Sequence, residues 1–413
     1  MTPALGPEDT PTPFARVLAV AILATSLGLI PPMLLGSLIV FLRADLHFDE
    51  QGLGVASAAF FGAGALVSVP AGRLVGRLGP RRAVLLGSAG SATCLLGIAV
   101  LARSWPALVG FLCLGGMAVA LSQPAADLTL ARGVPSGRQG VAFGAKHAAG
   151  SLTVLTAGLA VPVLGITLGW RSAFALIALL LLPIVVLLPR NLSANTGHRR
   201  RPVSSAQGTG SSDPPVRGLA VLSLAAGLAS GSANAAATFL VAYAVHAGVA
   251  TSTAGLLLTI GGTMGGISRI FMGWLADRRS GHHFAVCTGL VAVGALGYLL
   301  LAFAGDAVTF AVGSVLALGI GWSWHGLFVY AIVRSHQHAP AAATGIAQLG
   351  PFVGGVAVPI ALGAATVRFG FRPAWLGLSA AALLAAGLMA VGADLLRNDL
   401  RVQAEGDVAP APA

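Results

Sequence analysis

Charge is scarce in this chain. Only 9% of its 413 residues are Asp, Glu, Lys or Arg and 56% are hydrophobic, against roughly 25% charged in a soluble domain. With a mean hydropathy of +0.86, the chain lacks the polar surface that an ordinary water-soluble enzyme or binding domain needs. Lysine is almost missing, since Lys146 is the sole example among 24 basic residues. Cysteine is limited to Cys94, Cys113 and Cys287. An odd number inside apolar stretches, without metal-ligand spacing, excludes a disulfide framework and reads as packing. The sequence has no Gly-x-Ser-x-Gly, no His-Glu-x-x-His and no Walker lysine, so neither an enzyme, a cofactor, a metal nor direct use of ATP is expected.

Long apolar runs are what the chain has in abundance. A bilayer core about 30 Å thick takes about 20 helical residues at 1.5 Å rise. Twelve segments fit: 17–42, 53–74, 83–102, 107–131, 140–164, 170–189, 218–243, 254–275, 284–304, 307–332, 341–365 and 374–394. A β-barrel would instead show alternating strands of about 10 residues. The 56 glycines suit closely packed membrane helices. The net charge of +11 does not argue for nucleic acid, because the arginines collect in loops on one side, as the positive-inside rule requires of cytoplasmic loops. The acidic, proline-rich start MTPALGPEDTPTP and a first apolar run too long for a signal-peptide core imply no cleaved signal. An integral protein of the inner or plasma membrane is expected, with both termini cytoplasmic.

The chain also repeats at an offset of 201 residues. Gly54 pairs with Gly255, Gly72 with Gly273, Gly144 with Gly345, and Gly169-Trp170-Arg171 with Gly370-Phe371-Arg372. Apolar composition alone would not align glycines and arginines in this way. Internal repeats are a signature of transporters in which two bundles move about a site between them. The expected organisation is a tail at 1–16, a six-helix bundle at 17–190, a cytoplasmic linker at 191–217, a second six-helix bundle at 218–396 and a tail at 397–413. The linker is rich in Ser, Gly and Pro and carries Arg199-Arg200-Arg201, as flexible connections do. The fold class is therefore an all-α membrane protein of twelve transmembrane helices in two related bundles.

The loop between spans 2 and 3 reads Gly72-Arg73-Leu74-Val75-Gly76-Arg77-Leu78-Gly79-Pro80-Arg81-Arg82, and its copy reads Gly273-Trp274-Leu275-Ala276-Asp277-Arg278-Arg279. Together they resemble the Gly-x-Leu-x-Asp-Arg-x-Gly-Arg-Arg loop of the major facilitator superfamily, with Gly76 in place of the acidic residue in the first copy. The resemblance covers residues 14–396. It implies secondary transport by alternating access and a cytoplasmic gate in which Gly72, Arg77, Arg81, Arg82, Asp277 and Arg278 take part, with Asp127 as the carboxylate partner of the first-half arginines. Two departures weigh on the mechanism. Leu112 stands where many proton-driven members carry Arg, and a Gly-Pro-x-x-Gly-Gly string falls in span 11, at Gly350 to Gly355, rather than in span 5.

Ionisable groups inside the spans point to chemistry, since Lys or Arg at a helix centre costs about 2.5–3.5 kcal/mol and usually faces a cavity or a partner. Lys146 in span 5 and Arg269 in span 8 lie at similar depth in opposite halves and suggest an anion between them. His147 and His325 are candidates for proton coupling, His325 also for substrate binding. Asn234, Gln348 and Gln123 complete the candidate substrate set. Trp322 and Trp324 offer stacking surfaces, although packing at the interface is the simpler role. The substrate expected is a small organic anion, a mono- or dicarboxylate, carried by a monomer. The alternative is an exporter of hydrophobic or cationic compounds.

Overall fold

The computed structural model describes residues 14–134, 139–189, 216–278, 283–335 and 340–408. Among them there is no strand. The first half comprises α1 (Phe14–Ser37), α2 (Ile39–Leu46), α3 (Glu50–Leu101), α4 (Trp105–Gly133), α5 (Gln139–Ala160), α6 (Trp170–Ala178) and α7 (Leu181–Leu187). The second comprises α8 (Val216–His246), α9 (Thr251–Arg278), α10 (His283–Ala302), α11 (Ala307–Ser314), α12 (Trp324–Ser335), α13 (Pro340–Phe369) and α14 (Phe371–Val408).

Among the described residues eleven helical segments are long and apolar enough to cross a membrane, and one of them crosses twice. The 52 residues of α3 correspond to about 78 Å of continuous helix at 1.5 Å per residue. That is far more than one bilayer. The segment reverses at Gly79, with φ 76° and ψ 166°, a region that glycine alone enters without strain. Twelve crossings result. Span 6 divides into α6 and α7, and span 10 runs through α11, a π-helical stretch at 315–320 and a turn at 321–323 before α12 begins. A helix passes through Pro31 and Pro32 and breaks only at Leu38. The expected tail at 1–16 and linker at 191–217 lie almost wholly outside the described residues, Arg199, Arg200 and Arg201 included, as does the end of the second tail beyond 408.

The repeat is visible in backbone geometry. Gly169 and Gly370, which match under the 201 offset, both take positive φ, at 81° and 85°, and each turns the chain into the last span of its half. The two halves meet mainly at the end of the bundle opposite the chain termini, here called the far end. There α3 crosses α13, α5 crosses α9 and α1 approaches α8. Paired glycines make the first two crossings possible. A methyl group at Gly54 would strike the Pro359 carbonyl on α13, and one at Gly255 would lie 2.5 Å from Val161 Cβ and 2.8 Å from the Gly158 carbonyl on the α5 side. Close backbone approach is what small residues provide between membrane helices.

At the terminal end the surfaces are open. Gly72, Gly76, Gly144 and Gly273 face free space, while Leu66, Ile270, Leu349 and Val353 are more than half exposed. Among the described residues the contacts between the halves thus gather toward the far end, and the space between the halves on the terminal side is here called the vault.

The far end also carries the acidic loop 43–52, and each of its carboxylates has a structural role. Asp49 accepts from the Gly52 N–H and caps α3, Glu50 pairs with Arg43, and Asp45 accepts from Trp170 Nε1 and from Arg171, each at 2.9 Å. The hydrogen bond from Trp170 and the adjacent guanidinium hold the Asp45 carboxyl below its usual range. The Gly-Pro string on α13 works as close packing. Gly350 N–H donates to Ser223 Oγ at 2.9 Å, and a methyl at Gly227 on α8 would lie 2.7 Å from the Gly350 carbonyl.

Candidate functional site

The chemistry inside the vault is concentrated where α5 faces α9 and α12. Lys146, His147 and Ser151 project from α5. Consecutive residues on a helix point about 100° apart, so Lys146 and His147 serve different neighbours. Lys146 turns into its own half, where Nζ lies 2.9 Å from Oδ1 of Asp127 on α4. The lysine side chain is 3% exposed and the aspartate 43%. His147 turns toward the other half, its ring centroid 6.3 Å from that of His325 on α12.

Arg269 on α9 reaches back the opposite way. Its Nη1 donates to Ser151 Oγ at 2.7 Å, Nη2 donates to the Trp322 carbonyl at 3.2 Å, and the guanidinium lies 5.2 Å from the Trp322 ring centroid. The turn at 321–323 brings that carbonyl within reach, and irregular turns of this kind recur at functional sites in helices. Ser268 donates to Ser323 in the same turn, and Trp324 packs edge-on against His325. Lys146, His147, Arg269 and His325 are close enough to act on one another electrostatically.

The expected site residues divide accordingly. Lys146, His147, Arg269 and His325 are gathered between the halves. Asn234 on α8 is half-buried and donates to Ser230 O within its own helix at 2.9 Å. Gln348 on α13 is half-buried. Gln123 stands one turn before Asp127 on the same face of α4, with a buried Nε2 that has no protein partner.

Two expectations change. Asp127 does not answer the loop arginines: it pairs with Lys146, so the free cation expected at Lys146 is half of an ion pair. Arg77 and Arg82 are exposed, and Arg81 is half-buried with Nε unbonded, because the halves are apart at this end. Gly72 lies in the same open region. The backbone of Asp277 and Arg278 ends α9, while their side chains, and all of Arg279, lie outside the described residues.

The residues that sequence reasoning missed are Ser151, Ser268, Ser323 and the Trp322 carbonyl, all of types too common in membrane helices to stand out. The Asp127–Lys146 pair, in contrast, had a signal. Each residue lies eight positions from the 135–138 connection between α4 and α5, and equal numbers of residues counted back along consecutive helices place the two at similar depth, here about 12 Å.

A vault between two related bundles, with polar groups converging from both, has recognisable relatives. The family model of the Major Facilitator Superfamily matches residues 17–359. This chain belongs to that superfamily. Among curated proteins it is similar to a chloramphenicol resistance protein of Streptomyces lividans, 29% identical over 398 residues, which span 90% of this chain and 94% of the relative. Among solved structures it resembles a bacterial homologue of the human lysosomal transporter Spinster, inward-facing and unoccupied. That likeness has a TM-score of 0.71 at 14% identity over 99% and 100% of the two chains. It also resembles a D-xylose–proton symporter, with a TM-score of 0.69 at 16% identity over 91% and 97%. Membership of the family makes the chain a membrane transporter for a small molecule.

Proposed function

We propose that this transporter exports small amphiphilic compounds of the phenicol type, powered by protons moving the opposite way. The observation that carries this reading is the Lys146–Asp127 ion pair. An organic anion held between Lys146 and Arg269 needs two uncompensated cations, and Asp127 neutralises one of them. What is left for a ligand is a single guanidinium, two imidazoles, the indole of Trp322 and the buried amide of Gln123. That set suits an uncharged aromatic molecule with hydroxyl and amide groups, which chloramphenicol is. The similarity to a chloramphenicol resistance protein along nearly the whole chain supports the same class, and a secondary transporter confers resistance by lowering the internal concentration. We place both termini in the cytoplasm, which makes the vault inward-open, and take the single chain as the working unit.

The test is accumulation of labelled chloramphenicol in everted vesicles on acidifying their lumen, together with the susceptibility of cells with and without the gene. Uptake that collapses with the pH gradient is expected. Absence of both uptake and protection would overturn the reading. The organic-anion alternative keeps one observation in its favour: Arg269 has no carboxylate partner among the described residues. Carboxylate uptake that disappears in Arg269→Gln, with chloramphenicol inert, would select it.

A further inference from the structure

We propose that Asp127 is the proton-carrying carboxylate of the transport cycle and that Lys146 and the proton compete for it. The inference deepens the proton-coupled reading above and names its coupling site, which the histidines had been expected to supply. Asp127 is the only acidic residue between Glu50 and Asp213, so no second carboxylate of the first half stands inside the membrane beside it. Its side chain is half-exposed overall with Oδ1 buried against Lys146, whereas its partner is almost fully buried. Water and protons therefore reach the aspartate, and the lysine depends on it. The charged and titratable groups on the elements packed against α4 are otherwise basic at this depth and toward the terminal end: Arg16 on α1, Arg73, Arg77, Arg81 and Arg82 on α3, and His147 on α5. Arg269 and His325 stand across the vault.

The step balances simply. A proton from water adds to the Asp127 carboxylate and the pair separates, giving a neutral carboxylic acid and an unpartnered Lys146 ammonium. No bond other than O–H forms. The released ammonium lies next in sequence to His147, on the helix whose Ser151 accepts from Arg269. Two cations without a carboxylate partner then stand on α5 and α9, the helices that cross at the far end, so the charge between the halves depends on whether Asp127 holds the proton. In exchange for the exported compound the proton enters from the outer side, and its release through the inward-open vault restores the pair seen here. A proton on His147 or His325 would add charge without releasing a partner, which is why the geometry points to Asp127.

The experiment uses purified full-length protein in two arms. In proteoliposomes with a pH-sensitive dye, the parent is expected to move protons in response to chloramphenicol. In Asp127→Asn that response is lost, and whatever drug flux survives no longer answers to an imposed pH gradient. Lys146→Arg keeps coupling and Lys146→Gln loses it. Proton-coupled flux in Asp127→Asn would overturn the proposal. Infrared difference spectra on acidification form the second arm and need no substrate. A carboxylic-acid carbonyl band is expected in the parent and in Asp394→Asn but not in Asp127→Asn. If the parent carries no phenicol, the functional reading falls while this band still decides the fate of Asp127, and a band unchanged in Asp127→Asn refutes its role.

Discussion

Replacing Gly255 by alanine is expected to shift the transporter away from the far-end-closed conformation. A methyl carbon at this position would sit 2.5 Å from Val161 Cβ and 2.8 Å from the Gly158 carbonyl, where ordinary contact begins at 3.4 Å. The α5–α9 crossing must then widen by close to 1 Å. Overpacking of one methyl in a tight contact costs about 1–3 kcal/mol. At about 1.4 kcal/mol per tenfold this is a roughly 5- to 140-fold change in the ratio of conformations. The gain of about 1 kcal/mol in helix propensity from Gly to Ala applies to both conformations and cancels from that ratio. The assay is a spin-label distance distribution between Leu168→Cys and Ala250→Cys, exposed positions in opposite halves at the far end, in a background lacking Cys94, Cys113 and Cys287. The short-distance population of the parent should give way to a longer one. Gly54→Ala, the repeat mate that meets Pro359, should act alike, while Gly110→Ala, which meets nothing, should leave the distribution alone. A Gly255→Ala distribution superimposable on that of the parent would refute the claim that this glycine sets the crossing.

Removing either member of the Asp127–Lys146 pair should destabilise the protein unequally. Asp127→Ala strands a buried ammonium at a cost of about 3–5 kcal/mol, whereas Lys146→Met leaves a carboxylate that water reaches and costs about 1 kcal/mol or less. Thermal unfolding in detergent should rank Asp127→Ala below Lys146→Met, and the reverse order would contradict the assigned burial. At the far end, the folded-state pKa of Asp45 is depressed by Trp170 and Arg171. Its stabilising contribution is therefore complete above the unfolded value of 3.8 and fades as pH falls through the lower folded value. Because the group is mostly exposed, about 0.2–1 kcal/mol is at stake. The slope of melting temperature against pH in that acid range should be smaller in Asp45→Asn, and identical slopes would dismiss the contact.

Much of the fold was legible because lipid imposes a simple rule. Every backbone polar group in the hydrocarbon must be satisfied within its own helix, so twelve long apolar runs could become little else. The 201-residue repeat carried the pairing of Gly54 with Gly255 and Gly169 with Gly370, whose matched roles in crossings and turns the structure displays. The candidate site was legible as a set of unusual residues, since charge in a span is costly and therefore noticeable. Its internal pairing was not read. Depth along the helix alone leaves Lys146 a free cation and lets Asp127 answer the loop arginines, because both belong to the terminal end.

Composition and periodicity by themselves determined that this chain is helical, membrane-embedded, twofold in plan and marked at Lys146, His147, Arg269 and His325. Only the tertiary structure decided that the charge of Lys146 is spent on Asp127 and that of Arg269 on no carboxylate among the described residues. Helical rise fixes the depth of a residue in the membrane, and that much follows from counting. Rotation about the helix axis and the choice of neighbouring helix decide whether two groups at one depth lie 2.9 Å apart, as Lys146 and Asp127 do, or face different halves. Those are set by the packing of all twelve spans together.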